Sequence, residues 1–163
     1  MKFLVDGMLG KLTKWLRLMG YDAKYSLFPD KTLITEAIKE NRVLLTSDIA
    51  LYREAVAQGV EAYLVKGRNE IERIAELAKK FNLKIEVNAE SSRCPLCGSN
   101  LTKIDKMLIK EMVPTQTFNF YNEFFICTNQ NCRKIYWRGS HWKKINEVLL
   151  QAKKLMINTK KAK

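Results

Sequence analysis

The sequence predicts an α/β domain built on a parallel sheet with helices on both faces, followed by a small cysteine-bearing module and a terminal helix. Three observations predict it. Short apolar runs alternate with helical patterns of about 10 to 13 residues through roughly the first 90 positions, as expected of repeated strand–helix units. All four cysteines lie in the second half, in two close pairs. After the polar stretch from Asn88 to Arg93 the composition shifts to cysteines, aromatics and lysines, which puts a domain boundary at residues 90 and 91.

The elements follow in order. Lys2 to Asp6 is an apolar run ending in an acid, and Leu9, Leu12, Leu16 and Met19 then recur at helical spacing until Gly20 stops the pattern. Ala23 to Leu27 predicts a second strand, and Phe28-Pro29-Asp30 a turn into a helix through about Lys39. Arg42 to Thr46 is an apolar strand ending at Ser47-Asp48. A helix from about Ile49 to Gln58, closed by Gly59, leads to a strand from Val60 to Val65. Asn69 with Glu72 is a capping-box variant for a helix that carries Ile71, Ile74, Ala75, Ala78 and Phe81 on one face. Lys84 to Val87 predicts a last short strand. Beyond Ser140, Ile145, Val148, Leu149, Ala152 and Met156 mark a terminal helix.

Charge is uneven along the chain. Of the net +12, residues 1–92 carry 15 Lys and Arg against 13 Asp and Glu, whereas residues 93–163 carry 14 against 4. A net +10 on the cysteine-bearing half favours a polyanionic partner, nucleic acid above all, with salt-dependent affinity. A lysine-rich solvated surface would have the same composition. No apolar run approaches the roughly 18 to 20 residues that span a bilayer, so no membrane role is expected. Together with the paired cysteines this predicts a cytoplasmic protein whose thiols serve a metal.

Cys94-Pro95-Leu96-Cys97-Gly98 places two thiolates on a tight turn, and Cys127 and Cys132 supply a second pair after a 29-residue insertion containing the strand formers Phe118, Phe120, Phe124 and Phe125. Four sulfurs close a tetrahedron with no open position, the signature of one structural zinc that stabilises a fold too small for its own core. A disulfide pair or an iron–sulfur cluster would compete for the same cysteines, and His141 could replace one thiolate.

In an open parallel sheet ligands bind outside the carboxyl ends of the strands. Asp6 and Asp48, 42 positions apart, both follow strands and so reach one edge, and Asp30 can reach it from a loop. Gathered carboxylates repel one another unless a hard cation such as Mg²⁺ or Mn²⁺ sits among them. Such a site could hydrolyse a phosphodiester. Asp30 and Asp48 are equally readable as helix N-caps, and Glu36 as a solvated helix residue. Lys11, Lys14 and Arg17 recur at threes along the first helix and could hold phosphates, or simply form its polar face. Arg138 and His141, beside Tyr136, Trp137 and Trp142, are candidate contacts for single-stranded RNA, with the two tryptophans also readable as packing between the module and the α/β domain.

These residues carry a resemblance. Phe3-Leu4-Val5-Asp6-Gly7-Met8-Leu9-Gly10-Lys11-Leu12, with Trp15-Leu16-Arg17 and Gly20-Tyr21-Asp22, resembles the start of the Mut-seven C-terminal ribonuclease family, a branch of the PIN-like nucleases. Leu44-Leu45-Thr46-Ser47-Asp48 resembles its second acidic motif, and Arg93 to Cys97 with Cys127 through Trp142 resembles its zinc-ribbon portion. The resemblance implies a PIN-like three-layer α/β/α domain over residues 1–90, a zinc ribbon with a basic helix over 91–163, and divalent-metal-dependent endoribonuclease activity with Asp6, Asp30 and Asp48 as catalytic acids. Asp6 and Asp48 would hold the Mg or Mn ion, and no small-molecule cofactor beyond metals is expected. The chain departs from the family pattern in showing no clear late acid after Asp48. That departure keeps open a non-catalytic RNA-binding or ribosome-associated module.

Overall fold

The computed structural model describes residues 1–161, with side chains described through Asn158. β1 (Lys2–Asp6) leads through a 3-10 turn at Gly7–Leu9 into α1 (Gly10–Leu18), and β2 (Asp22–Ser26) precedes α2 (Asp30–Glu40). β3 (Val43–Thr46), α3 (Ile49–Ala57), β4 (Ala62–Leu64) and α4 (Glu70–Phe81) complete the alternation. The four strands are parallel, in the order β2-β1-β3-β4, with Asp6 in register with Ser26 and Leu4 with Leu44.

Successive strand residues point to opposite faces, so a strand covered on both faces must be apolar throughout. β1 and β3 meet that demand. Phe3, Val5, Val43 and Leu45 enter a core with Leu12 and Leu16 of α1 and Ile74, Leu77 and Ala78 of α4. Leu4 and Leu44 enter a second core with Leu33, Ile34 and Ala37 of α2 and Leu51 and Ala55 of α3. At about 1.5–3 kcal/mol for each large apolar side chain taken from water, these two cores are the main support of the domain. The three-layer α/β/α arrangement is therefore as the sequence predicts.

The expected strand at Lys84 to Val87 does not form. Leu83 and Ile85 are buried in the first core, but the Lys84 amide donates to the Tyr21 hydroxyl (2.7 Å), and the segment joins no ladder. Apolar alternation buried the side chains without supplying a strand partner.

The second half forms an antiparallel sheet of β5 (Leu101–Ile104), β6 (Phe124–Cys127) and β7 (Ile135–Trp137), in that order. A 3-10 turn at Lys106–Ile109 and α5 (Thr115–Phe120) fill the insertion, so Phe118 and Phe120 lie on a helix and not on the expected strand. The core of this sheet is small, centred on Ile109, Phe124, Ile126 and Ile135. α6 (His141–Lys161) then returns to the α/β domain and packs along α4, placing Leu149 and Ala152 in the first core. Thus the helix C-terminal to the expected boundary at residues 90 and 91 packs with the residues before it. No helix among the described residues is long and apolar enough to cross a membrane.

Candidate active site and metal centre

In the order β2-β1-β3-β4 the chain leaves β1 to one side and later returns to its other side, so the switch point lies between β1 and β3. A crevice opens at the carboxyl ends of such strands. Asp6 ends β1 there, and Asp48 follows β3 by two residues. The Thr46 hydroxyl joins them: it donates to Asp6 Oδ2 (2.8 Å) and accepts from the Asp48 amide (3.0 Å). Thr46 is fully buried, yet sequence reasoning passed it over as the end of an apolar strand. The available signal was a polar residue closing Val-Leu-Leu two positions before an acid.

Asp48 caps α3, its Oδ1 accepting from the Ala50 (2.6 Å) and Leu51 (3.1 Å) amides. Cap and candidate ligand are thus compatible roles, because Asp48 Oδ2 and Asp6 Oδ1 carry no hydrogen bond among the described residues. Asp30 is not a cap. It is the exposed first residue of α2, behind Pro29, and makes no capping bond. The strand that leads to it, β2, ends at Ser26 beside Asp6. By strand alternation Asp6 and Thr46 face the side that carries α2 and α3, whose positive N-terminal ends favour negative charge. Asp6, Asp30 and Asp48 do not by themselves bring three ligand atoms within reach of one ion. Glu36 lies outside this edge group and is not solvated: it pairs with Lys24 (2.6 Å) in a network that includes Glu40, Arg42 and Asp22.

The four cysteines do form such a group, with all sulfurs within 4.8 Å of one another. The Cys94–Cys132 and Cys97–Cys127 sulfurs are 3.8 and 3.4 Å apart, far beyond disulfide length. A tetrahedron with metal–sulfur bonds of about 2.3 Å has edges of about 3.8 Å, so the set fits a metal ion held by thiolates alone. Burial pushes the Cys127 thiol up to about 12. At Cys97 burial also opposes ionisation, but hydrogen bonds from the Ser99 hydroxyl and amide outweigh it and draw the thiol down to about 6. The Tyr136 hydroxyl, kept protonated by burial and by the nearby sulfurs, bonds Cys94 Sγ (3.1 Å) and so orients a ligand from outside. Gly98 closes the turn at φ +82°, donating its amide to Cys94 O (2.8 Å), and a Cβ there would sit 3.0 Å from Arg17 Nε.

That contact corrects the reading of Arg17. Its side chain is buried, with Nε donating to Ala23 O (2.8 Å) and Nη1 to Pro95 O (3.1 Å) and Leu96 O (2.9 Å). Its Nε and Nη1 are committed to backbone carbonyls and not to a phosphate. Desolvation lowers its pKa and the neighbouring cysteine charges oppose that shift, leaving a buried cation fixed to the cysteine turn. Lys11 and Lys14 remain exposed on α1. His141 is exposed at the start of α6, while the Arg138 guanidinium lies over the Trp142 ring, 5.3 Å from its centre.

Comparison with curated proteins and with solved structures returns no match. A family model described as the Mut7-C RNAse domain matches residues 1–149, the whole parallel-sheet unit, the cysteine sheet and the first part of α6, and the chain belongs to that family.

Proposed function

We propose that the protein is a divalent-metal-dependent endoribonuclease acting at the β1/β3 switch point. The observation that carries this reading is the Asp6–Thr46–Asp48 relay, which leaves one oxygen of each carboxylate unbonded at the crevice. Asp6 and Asp48 would hold the Mg or Mn ion, with Asp30 contributing from the start of α2. When bound, the ion supplies water activation and stabilises negative charge on the phosphodiester. The chain itself does the rest: Thr46 positions Asp6, the α3 amides position Asp48, and the helix ends and Lys11 and Lys14 favour the approach of an RNA backbone. The four cysteines hold one structural zinc per chain, and the ribbon, with His141 and Arg138, aids RNA binding. The thiol chemistry suits a cytoplasmic location.

A second reading, a non-catalytic RNA-binding or ribosome-associated module, is favoured because, among the described residues, Asp6 and Asp48 belong to no group of three carboxylates able to hold one ion. One experiment separates the two. Purified protein is incubated with single-stranded and structured RNAs, with Mn²⁺ or Mg²⁺ and without either. Asp6→Asn and Asp48→Asn should each lower cleavage by at least about 100-fold with fold and zinc intact, the scale expected when a group acting in the transition state is lost. Asn caps a helix about as well as Asp, so a mere cap at position 48 would leave the rate unchanged. Wild-type rates in both variants would select the binding module.

A further inference from the structure

A groove of about 930 Å³ opens where Leu18 at the end of α1, β7 of the ribbon and the first turn of α6 meet. Among the described residues no Asp or Glu lines it, whereas Arg133, Lys134 and His141 do. All three are exposed. Its aromatic walls are held by their surroundings. The Tyr136 hydroxyl is tied to Cys94, Trp137 packs against Phe124 (ring centres 6.2 Å apart), and Trp142 lies under the Arg138 guanidinium. Gly139 lets the Trp137 indole approach the backbone, since a Cβ there would fall 2.8 Å from Nε1.

Fixed aromatic faces among cations, without a carboxylate, suit an unpaired strand: bases stack on the rings and phosphates meet the basic groups. A duplex keeps its bases stacked on one another and offers only its backbone. The groove also lies away from the acidic edge. α1 starts beside Asp6 and runs back toward the other end of the sheet, so about 12 Å of helix separates Gly10 from Leu18. We infer that this groove is a single-stranded RNA subsite, remote from the cleavage edge, which grips a flanking stretch of the substrate by base stacking. The inference rests on the RNA reading above and deepens it.

The test is equilibrium binding of fluorescein-labelled oligouridylate to full-length protein carrying Asp6→Asn, without added divalent ion, so that cleavage plays no part. Trp142→Leu should weaken binding about tenfold, and Trp142→Phe should restore most of it, as stacking requires. Arg133→Gln with Lys134→Gln removes two exposed charges from the groove and should lower the salt slope by about 1.4. Zinc content and circular dichroism should stay at their parent values in each. Parent-like affinity and salt slope in both the Trp142→Leu and the charge variants would overturn the inference. So would equal displacement of the oligouridylate by duplex RNA or by polyglutamate, because the groove would then read charge and not bases. If binding behaves as expected and wild type cleaves no RNA, the hydrolytic reading fails while the subsite stands.

Discussion

The two sheets of this protein are stabilised in different ways. The parallel sheet sits between two cores that together bury residues from β1, β3 and five helices. The antiparallel sheet has a small core around Ile109, Phe124, Ile126 and Ile135 and gathers four sulfurs at one end. A core of that size offsets little of the cost of ordering the chain, so a metal ion held by the four cysteines would supply part of the folding energy. The difference teaches where each region is vulnerable: the first to the loss of volume, the second to the loss of a ligand. Arg17 joins them, a residue of α1 whose guanidinium holds two carbonyls of the cysteine turn.

The largest effect should come from removing the metal. Chelation, or Cys97→Ser, withdraws a binding energy of about 10 to 16 kcal/mol and should unfold the ribbon while the parallel sheet persists. Hydrogen exchange would show fast exchange for β5, β6 and β7 and retained protection for β1 and β3. If the ribbon strands stayed protected without metal, the contrast between the two regions would collapse.

Breaking the junction should cost less. Arg17→Met keeps the buried stem but strips the carbonyls of Ala23, Pro95 and Leu96 of their donors, which should destabilise the protein by about 1–3 kcal/mol in denaturant titrations. Zinc should also leave faster, since the turn is no longer fixed from behind. A variant equal to wild type in both measurements would mean that the two regions are energetically independent.

The smallest effect is confined to the α/β domain. Glu40, bonded first to Lys24 and then to Arg42, is held down to about 2 from an ordinary value near 4.5. A depressed folded-state pKa adds stability that is present above about 4.5 and lost as pH falls toward about 2. Glu40→Gln should therefore lower stability by about 1 kcal/mol at pH 7, with the gap to wild type closing by about pH 2. A gap of constant size across that range would assign the effect to packing.

Much of this was legible in the sequence because local chemistry dictates it. Apolar runs at Phe3 to Val5 and Val43 to Leu45 can only be strands covered on both faces, and two cysteine pairs on tight turns can only meet around a common centre or bond to each other. The order of strands and helices by itself predicts Asp6 and Asp48 at one edge. What local chemistry left open was contact between distant residues. Arg17 has the spacing of an exposed phosphate ligand, and only the docking of the ribbon on α1 buries it. Lys84 to Val87 alternates like a strand but found a tyrosine hydroxyl in place of a neighbouring strand. Thr46 looks like the tail of an apolar run until Asp6 arrives beside it from 40 positions away. Periodicity reports which side of an element is buried, because that depends on the element's own geometry; which group faces that side depends on how the whole chain packs, and only the tertiary structure decided it.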